Sequence, residues 1–190
     1  DGMYAVTAGL GVAPPGRDTG DPTVRPGDAV LISGTLGDHG ATIMAERHGM
    51  SGPGLRSDCA PLASLAEAIF ASGADVHAMH DPTRGGVAVT CNEVAGRAGV
   101  RIVLDETRLP IRPEVRAVSE MLGLEPLYLA SEGRILAFVA ESGADRALAA
   151  LRAHPLGRDT ARIGTVEAAS PGAVPVILRT RIGGERPVDL

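Results

Sequence analysis

The sequence has no lysine and no tryptophan, and only two cysteines, two tyrosines and two phenylalanines among 190 residues. Nucleic-acid binding needs basic patches and stacking aromatic side chains, and it is not expected of a chain with a net charge of −5. No run approaches the roughly 18 apolar residues of a membrane span. Two cysteines cannot build a disulfide framework, and no signal peptide is visible at Asp1, so we expect a cytoplasmic protein.

The apolar fraction of 44% is sufficient for a sizeable core. Because aromatic residues are scarce, that core must be built from Ala, Val, Leu and Ile. The length predicts one domain with a fragment of another. Residues 2–12 are predicted to form a strand, residues 14–27 a linker rich in Pro, Gly and Asp, residues 28–180 the main domain, and residues 181–190 an irregular tail.

Hydrophobic periodicity predicts strands that roughly alternate with helices. Strands are predicted at 29–33, 76–79, 100–104, 127–130, 135–140, 163–168 and 174–178, and helices at about 40–47, 58–71, 86–98, 113–122 and 145–154. The turn 131–134 predicts a hairpin between the fourth and fifth strands, and the last two strands are predicted to pair. This pattern is typical of an α+β domain with a mixed sheet.

The stretch His80–Val87 reads His-Asp-Pro-Thr-Arg-Gly-Gly-Val and lies between a predicted strand and a predicted helix. Thr83 is a candidate N-cap. Gly85 and Gly86 would leave backbone N–H groups unobstructed at a helix N-terminus, which favours phosphate or carboxylate. Arg84 can add the paired N–H donors of its guanidinium group, which suit bidentate hydrogen bonding to such an anion. The alternative is an ordinary strand-to-helix turn.

Other chemically active side chains have structural interpretations as well. Asp38 and His39 follow a glycine-rich loop that lacks the dinucleotide-binding pattern, and a cap and a loop residue are the alternatives to catalysis. Cys59 lies near a predicted helix N-terminus that Asp58 or Ser57 can cap, and a thiolate is favoured there. A structural thiol is the alternative, because no His or second Cys has catalytic or metal spacing. Cys91 lies on an apolar helix face and predicts a core residue. Glu132 lies in a turn, where exposed carboxylates are common.

Seven motifs in this order resemble the C-terminal half of the hydrogenase expression/formation protein (HypE) family. They are Arg25-Pro-Gly-Asp28, Gly37-Asp-His-Gly40, Ser57-Asp-Cys-Ala-Pro-Leu62, Asp81-Pro-Thr-Arg-Gly-Gly-Val87 with Asn92-Glu-Val-Ala95, Pro110-Ile-Arg-Pro-Glu-Val115, Glu132-Gly-Arg134 and Ile182-Gly-Gly184. The wider superfamily contains aminoimidazole ribonucleotide (AIR) synthetase, selenophosphate synthetase and thiamine monophosphate kinase. These carry looser versions of the Asp81–Val87 motif and are the alternative assignments.

The resemblance implies a two-domain protein. Its N-terminal domain would bind ATP with magnesium and dimerise, and residues 1–13 would be the last strand of that domain. The rest would form a three-layer α/β/α domain like the C-terminal domain of AIR synthetase (PurM-like). In the family, a HypF-type carbamoyltransferase carbamoylates the C-terminal cysteine, ATP-dependent dehydration leaves a thiocyanate, and the cyano group reaches the iron of a [NiFe]-hydrogenase precursor through a HypC/HypD-type scaffold.

The resemblance also implies roles for individual residues. Glu132 would be the base for dehydration, Arg84 would contact the transferring phosphate, and the nucleotide-facing loop would carry Asp81, Thr83, Gly85 and Gly86. The cleft would include Asp38, His39, Asp58 and Cys59. No metal ligand is assigned to this chain, since magnesium would be held mostly by the N-terminal domain, and the fragment alone is expected to be inactive. Two departures are the absence of the family's terminal Pro-Arg-Ile-Cys and the absence of the ATP-binding domain from this sequence. A smaller departure is Ser131, where the family more often has Asn. A non-catalytic anion-binding domain is the alternative from another class.

Overall fold

The computed structural model describes residues 2–6, 8, 10, 12, 17–50 and 52–189. These residues form one mixed seven-stranded sheet and five α-helices. The strands are β1 Ala29–Ile32, β2 Val76–His80, β3 Val100–Asp105, β4 Leu136–Val139, β5 Ala161–Ala168, β6 Val176–Arg179 and β7 Glu185–Pro187. The helices are α1 Asp38–Arg47, α2 Ala63–Ala71, α3 Gly86–Ala98, α4 Pro113–Leu122 and α5 Glu141–Ala153. The order across the sheet is β2-β4-β1-β5-β3-β6-β7.

The sheet buries both of its faces, as the alternation of side chains along β1 shows. Val30 and Ile32 belong to the core that includes α3, whereas Ala29 and Leu31 pack with α2 and α5 on the opposite face. Helices α1 and α4 pack against each other in a third, smaller cluster. The predicted α+β fold with three α/β/α layers is therefore confirmed. No helix in the described residues is long and apolar enough to cross a membrane.

Helices α3 and α4 follow the apolar periodicity closely. The predicted face of α3 is buried at Val87, Cys91 and Val94, and burial raises the pKa of the Cys91 thiol to about 12, so this cysteine is a core residue. Helix α4 begins at Pro113, whose fixed φ suits a first turn, and it ends at Gly123, which adopts the left-handed conformation with φ 66°. In both helices, local sequence and burial favour the same structure.

Several predicted pairings and boundaries are wrong. Residues 127–130 form no strand; a 3₁₀ helix covers Pro126–Tyr128, and β4 pairs with β1 and β2 instead of closing a hairpin. β5 and β6 do not pair with each other, because β3 lies between them. The segment predicted to be an irregular tail contains β7, which pairs with β6. Helix α2 begins at Ala63 rather than near Asp58.

The predicted strand 2–12 has no counterpart among its described residues, which are exposed and outside regular structure. Residues 7, 9 and 11 of that strand, and residues 14–16 of the predicted linker, lie outside the described residues. The assignment of residues 1–13 to a preceding domain therefore stays a prediction.

Two histidines of β2 contact buried carboxylates, one in the later part of the predicted linker and one at the first residue of the predicted domain. The buried Asp21 carboxylate lies 2.5 Å from His80 Nε2 and accepts a 2.7 Å hydrogen bond from Arg97. The buried Asp28 carboxylate lies 2.7 Å from His77 Nδ1. Burial raises the pKa of Asp21, but the hydrogen bonds from Arg97 and His80 outweigh it and hold that pKa below its ordinary value.

Replacing Asp21 with Asn is expected to lower the free energy of unfolding by about 1–3 kcal/mol near neutral pH, because hydrogen bonds to a charged group are lost. Since the folded-state pKa lies below the unfolded one, this stability is present above the unfolded pKa and disappears as pH falls through the folded pKa. Urea denaturation should show that the difference in free energy of unfolding between the wild type and Asp21→Asn is smaller at about pH 3 than at about pH 7. The exposed Asp18→Asn is the matched control, and an equal effect of both variants would contradict the prediction.

Candidate functional site

The turn at Ser131–Gly133 is the point where the predicted site loops meet. Ser131 is buried; its backbone N–H donates to the Pro82 carbonyl at 3.0 Å, and its Oγ accepts from the Gly37 N–H at 3.0 Å. The neighbouring Ala130 carbonyl accepts from Gly40 N–H at 3.0 Å. The turn thus connects the glycine loop before α1 with the loop before α3. The Ser131 hydroxyl is therefore part of the link between these two loops.

Glu132 stands at the centre of this turn. The residue is half-buried, and its backbone N–H donates to Asp58 Oδ1 at 3.0 Å. In the described part of the chain, no hydrogen bond or ion pair involves its carboxylate. A carboxylate without a donor or a cation beside it has its lone pairs available to accept a proton. The geometry therefore suits a general base better than a structural ion pair.

Asp58 closes the turn from the opposite side. Its side chain is only 1% exposed, and the Oδ2 atom, which has no hydrogen-bond partner, lies 3.5 Å from Arg134 Nε. A Cβ atom on Gly133 would overlap the Asp58 carbonyl oxygen, so this glycine is required by the close approach of two backbone segments. The sequence predicted that Asp58 caps α2. This is wrong, because α2 begins at Ala63 and Asp58 instead holds the Glu132 turn.

A buried ion network lies beside this contact. Asp38, the first residue of α1, accepts hydrogen bonds from Thr35 Oγ1 and from Arg112 Nη1, the latter at 3.2 Å. Arg134 reaches it at 3.7 Å and also donates to the Thr35 carbonyl at 3.0 Å. Because a buried charge is tolerated when it is paired and hydrogen-bonded, Asp38 is explained by structure. Its two arginines leave it little freedom for proton transfer.

His39 and Cys59 come together although 20 positions separate them in sequence. Cys59 Sγ lies 3.7 Å from His39 Nδ1, and Ser57 Oγ lies 2.9 Å from the same nitrogen. The Ser57 hydroxyl also accepts from the Cys59 N–H at 3.2 Å. Cys59 is exposed and lies before the first turn of α2, so the predicted helix N-terminus is not beside it. Sequence spacing gave no sign of this pair, because the two residues come from different loops.

The Asp81–Gly86 loop carries the remaining candidates. Thr83 is not the helix cap; Gly85 is, in the left-handed conformation with φ 73°. Gly86 uses its N–H to donate to the Thr83 carbonyl at 3.1 Å, and a Cβ there would come within 2.6 Å of the Leu129 carbonyl oxygen. Arg84 is exposed and has no partner among the described residues. The Gly86 N–H is therefore not free for a ligand, and Arg84 and the later N–H groups of the first turn of α3 remain candidates for hydrogen bonds to phosphate.

The structure places the predicted loops against one another but divides their roles. Asp38 and Asp58 are buried partners of arginines, whereas Glu132 and Arg84 are unpaired side chains in the described residues. No site role was predicted for Ser131, Arg112 or Arg134. Arg112 and Arg134 lie within the quoted motifs, and Ser131 directly precedes one of them. Within the described residues, no group of three or more His, Cys, Asp and Glu could hold a metal ion.

Comparison with known sequences gives consistent matches along the chain. A family model described as AIR synthase related protein, C-terminal domain, matches residues 25–177. Carbamoyl dehydratase HypE from Rhodobacter capsulatus is 47% identical over 191 residues, which cover 100% of this chain and 56% of that protein. Carbamoyl dehydratase HypE from Escherichia coli K12 is 45% identical over 168 residues, covering 87% of this chain and 49% of that protein. The chain thus spans about half the length of these relatives.

Solved structures with the same fold include Hydrogenase Maturation Protein HypE in complex with ATP, with 40% identity and a TM-score of 0.86 over 90% of this chain and 53% of that one. A HypE–HypF complex matches with 36% identity and a TM-score of 0.84 over 90% and 55%. Thiamine monophosphate kinase from Aquifex aeolicus, with 23% identity and a TM-score of 0.53 over 89% and 55%, shares the fold alone. The chain belongs to the family of AIR synthase related proteins, whose C-terminal domain it contains, and within that family it is similar to the C-terminal part of HypE.

Proposed function

We propose that this chain is the C-terminal domain of an ATP-dependent carbamoyl dehydratase that acts in [NiFe]-hydrogenase maturation. The observation that carries the proposal is the unpaired carboxylate of Glu132 on a turn that Ser131 ties to the loop of Arg84, through Pro82 at 3.0 Å. A proton acceptor, Glu132, and a hydrogen-bond donor to phosphate, Arg84, thus belong to two loops that are hydrogen-bonded to each other. The names of the relatives and the ATP complex of a solved HypE support this assignment.

The proposed substrate is the S-carbamoylated C-terminal cysteine of the full-length protein. Its carboxamide oxygen attacks the γ-phosphorus of ATP, releases ADP and becomes a phosphate ester, a far better leaving group than an amide oxygen. The phosphorylated carboxamide loses its first N–H proton to solvent. Glu132 then takes the second N–H proton, an electron pair on nitrogen forms the third bond between carbon and nitrogen, and phosphate leaves with the C–O bond electrons. The product is a thiocyanate, whose cyano group serves as a ligand for the hydrogenase iron. Arg84 and the N-terminus of α3 stabilise the phosphate charge.

The residues of this chain fit the phosphate groups of ATP better than they fit a metal ion. Asp81, Thr83, Gly85 and Gly86 belong to the loop that we propose faces the nucleotide, and the helix N-terminus behind them suits anions. The resemblance to the HypE family assigns magnesium mostly to the N-terminal domain of the full-length protein, and no step on this chain runs through it.

The proposed partners follow from the same reaction. A HypF-type carbamoyltransferase would supply the carbamoyl group, and a solved HypE–HypF complex supports this pairing. A HypC/HypD-type scaffold would receive the cyano group, and the full-length protein would form a homodimer in the cytoplasm. These three assignments rest on the resemblance to the HypE family.

The proposal is tested by reconstituting the full-length protein with a HypF-type carbamoyltransferase and following its C-terminal peptide by mass spectrometry. With ATP, the carbamoylated cysteine should lose the mass of one water, and one ADP should form per thiocyanate. A non-hydrolysable ATP analogue should leave the carbamoyl form intact. A peptide that stays carbamoylated with ATP would support an anion-binding domain, and phosphorylation of thiamine monophosphate would support the kinase alternative.

Residues 1–190 alone are expected to bind ATP weakly and to hydrolyse none, because most nucleotide and magnesium contacts are assigned to the N-terminal domain. Isothermal titration with ATP and magnesium should show no saturable binding at micromolar ATP. A cooperative thermal transition, driven by burial of the two sheet faces, is the control that the protein is folded during the titration. A Kd in the micromolar range would contradict this division of contacts.

A further inference from the structure

We propose that Asp58 is the positioning residue that fixes Glu132 for proton abstraction. This inference rests on the proposed function and goes one step further, because it names the group that sets the geometry of the base. Asp58 Oδ1 accepts the backbone N–H of Glu132 at 3.0 Å across 74 residues of sequence. The Glu132 side chain therefore takes its direction from a peptide unit that Asp58 holds.

Two further contacts show that Asp58 and the turn fit each other closely. Gly133 lies so near the Asp58 carbonyl oxygen that no Cβ would fit between them. On the other side of Glu132, the Ser131 N–H and Oγ are fixed by Pro82 and Gly37. The turn is thus held at each of its three consecutive residues, and Asp58 supplies two of the contacts.

The second oxygen of the Asp58 carboxylate lies beside Arg134. Its side chain is 1% exposed, yet Oδ2 has no hydrogen-bond partner and lies 3.5 Å from Arg134 Nε. Arg134 is itself held by the carbonyls of Thr35 and Gly133, at 3.0 and 3.1 Å. A buried carboxylate with one unsatisfied oxygen is costly. The unfavourable burial of this carboxylate is explained if Oδ1 must accept the hydrogen bond from the Glu132 N–H.

Asp58 is separate from the reacting atoms in this scheme, so its loss should affect turnover rather than nucleotide binding. Displacement of a reacting group by about 1 Å can cost about 10²-fold in rate. In the reconstituted full-length protein, Asp58→Ala is expected to lower kcat for thiocyanate formation about 10- to 100-fold and to leave KM for ATP within about twofold. Asp58→Asn keeps an oxygen that can accept the Glu132 N–H, and should retain at least about a third of the wild-type kcat.

The matched control is Asp28→Ala. Asp28 is equally buried, and its carboxylate also accepts a backbone N–H, from Arg25 at 2.9 Å, but it is bonded to His77 rather than to the turn. It should lower thermal stability as Asp58→Ala does, with kcat within about twofold of wild type. If Asp58→Ala does not fold, Asp58→Ser, which is too short to reach the Glu132 N–H, should show the same loss of kcat.

Glu132→Gln, measured in parallel, separates the two proposals. If Glu132→Gln is inactive while Asp58→Ala has the wild-type kcat, the positioning role of Asp58 is wrong, and Glu132 remains the proposed base. An Asp58→Asn that loses as much kcat as Asp58→Ala also overturns it, because the acceptor contact would then not be what matters. A fully active Glu132→Gln overturns the proposed base itself. Loss of kcat in Asp58→Ala with rescue by Asn supports the positioning role.

Discussion

Thiocyanate formation is expected to fall by about 10²–10⁴-fold when Glu132 is replaced by Gln in the full-length protein, which is the usual contribution of a general base. Glutamine has nearly the shape of glutamate but cannot accept the proton. Because the backbone N–H of residue 132 is the group that bonds to Asp58, the turn should keep its position. The fold and ATP binding should persist. In place of thiocyanate, mass spectra of the C-terminal peptide should show carbamoylated protein, either phosphorylated on the carboxamide oxygen or returned to the free carboxamide by hydrolysis.

Single-turnover measurement of ADP and thiocyanate identifies whether phosphorylation or dehydration is blocked in Glu132→Gln. Phosphorylation precedes proton abstraction in the proposed scheme, so Glu132→Gln should still form ADP while thiocyanate is delayed. Glu67→Gln, on the exposed surface of α2, changes one carboxylate to an amide away from the turn and should behave as wild type. Turnover of carbamoyl-cysteine at the wild-type rate by Glu132→Gln would show that the base comes from elsewhere in the full-length protein.

The parts of the fold that the sequence predicts well are those set by local physics. In α3 and α4, apolar spacing, Pro113 and Gly123 all agree with the structure. The errors concern which strands meet. Residues 127–130 are apolar because Leu127 packs into the core from a 3₁₀ helix, and burial alone does not distinguish that from a strand. The separation of β5 from β6 by β3 depends on long-range pairing that the order of elements does not reveal.

In the candidate site, too, local sequence predicted residue types but not the contacts between distant segments. The residue types at Glu132 and Arg84 suggested their chemistry in advance, through motifs that resemble a family. Their relation to each other depends on hydrogen bonds between distant segments, such as Ser131 to Pro82 and Gly37 to Ser131. Asp58 shows the limit most clearly: its position before a helix predicted a cap, whereas its partner lies 74 residues away. Local pattern contains no information about such a contact.

The second large effect is expected from Arg84, whose exposed guanidinium has no partner among the described residues. Arg84→Ala should lower the rate of ADP formation by about 10²-fold, since one preorganised donor to developing charge contributes about that much. The cause is loss of a bidentate donor to the transferring phosphate beside the N-terminus of α3. Stability should change little, because no hydrogen bond or ion pair within the described residues is removed.

The order of the lost steps distinguishes Arg84 from Glu132. In single turnover, Arg84→Ala should slow ADP and thiocyanate together, whereas Glu132→Gln should slow thiocyanate alone. Arg84→Lys keeps the charge but not the fork, so it should recover only part of the rate. Arg47→Ala, at the exposed end of α1, removes an equal charge elsewhere and should leave both products unchanged. If Arg84→Ala forms ADP at the wild-type rate, Arg84 does not contact the transferring phosphate, and the positive potential must come from the α3 N-terminus and the N-terminal domain.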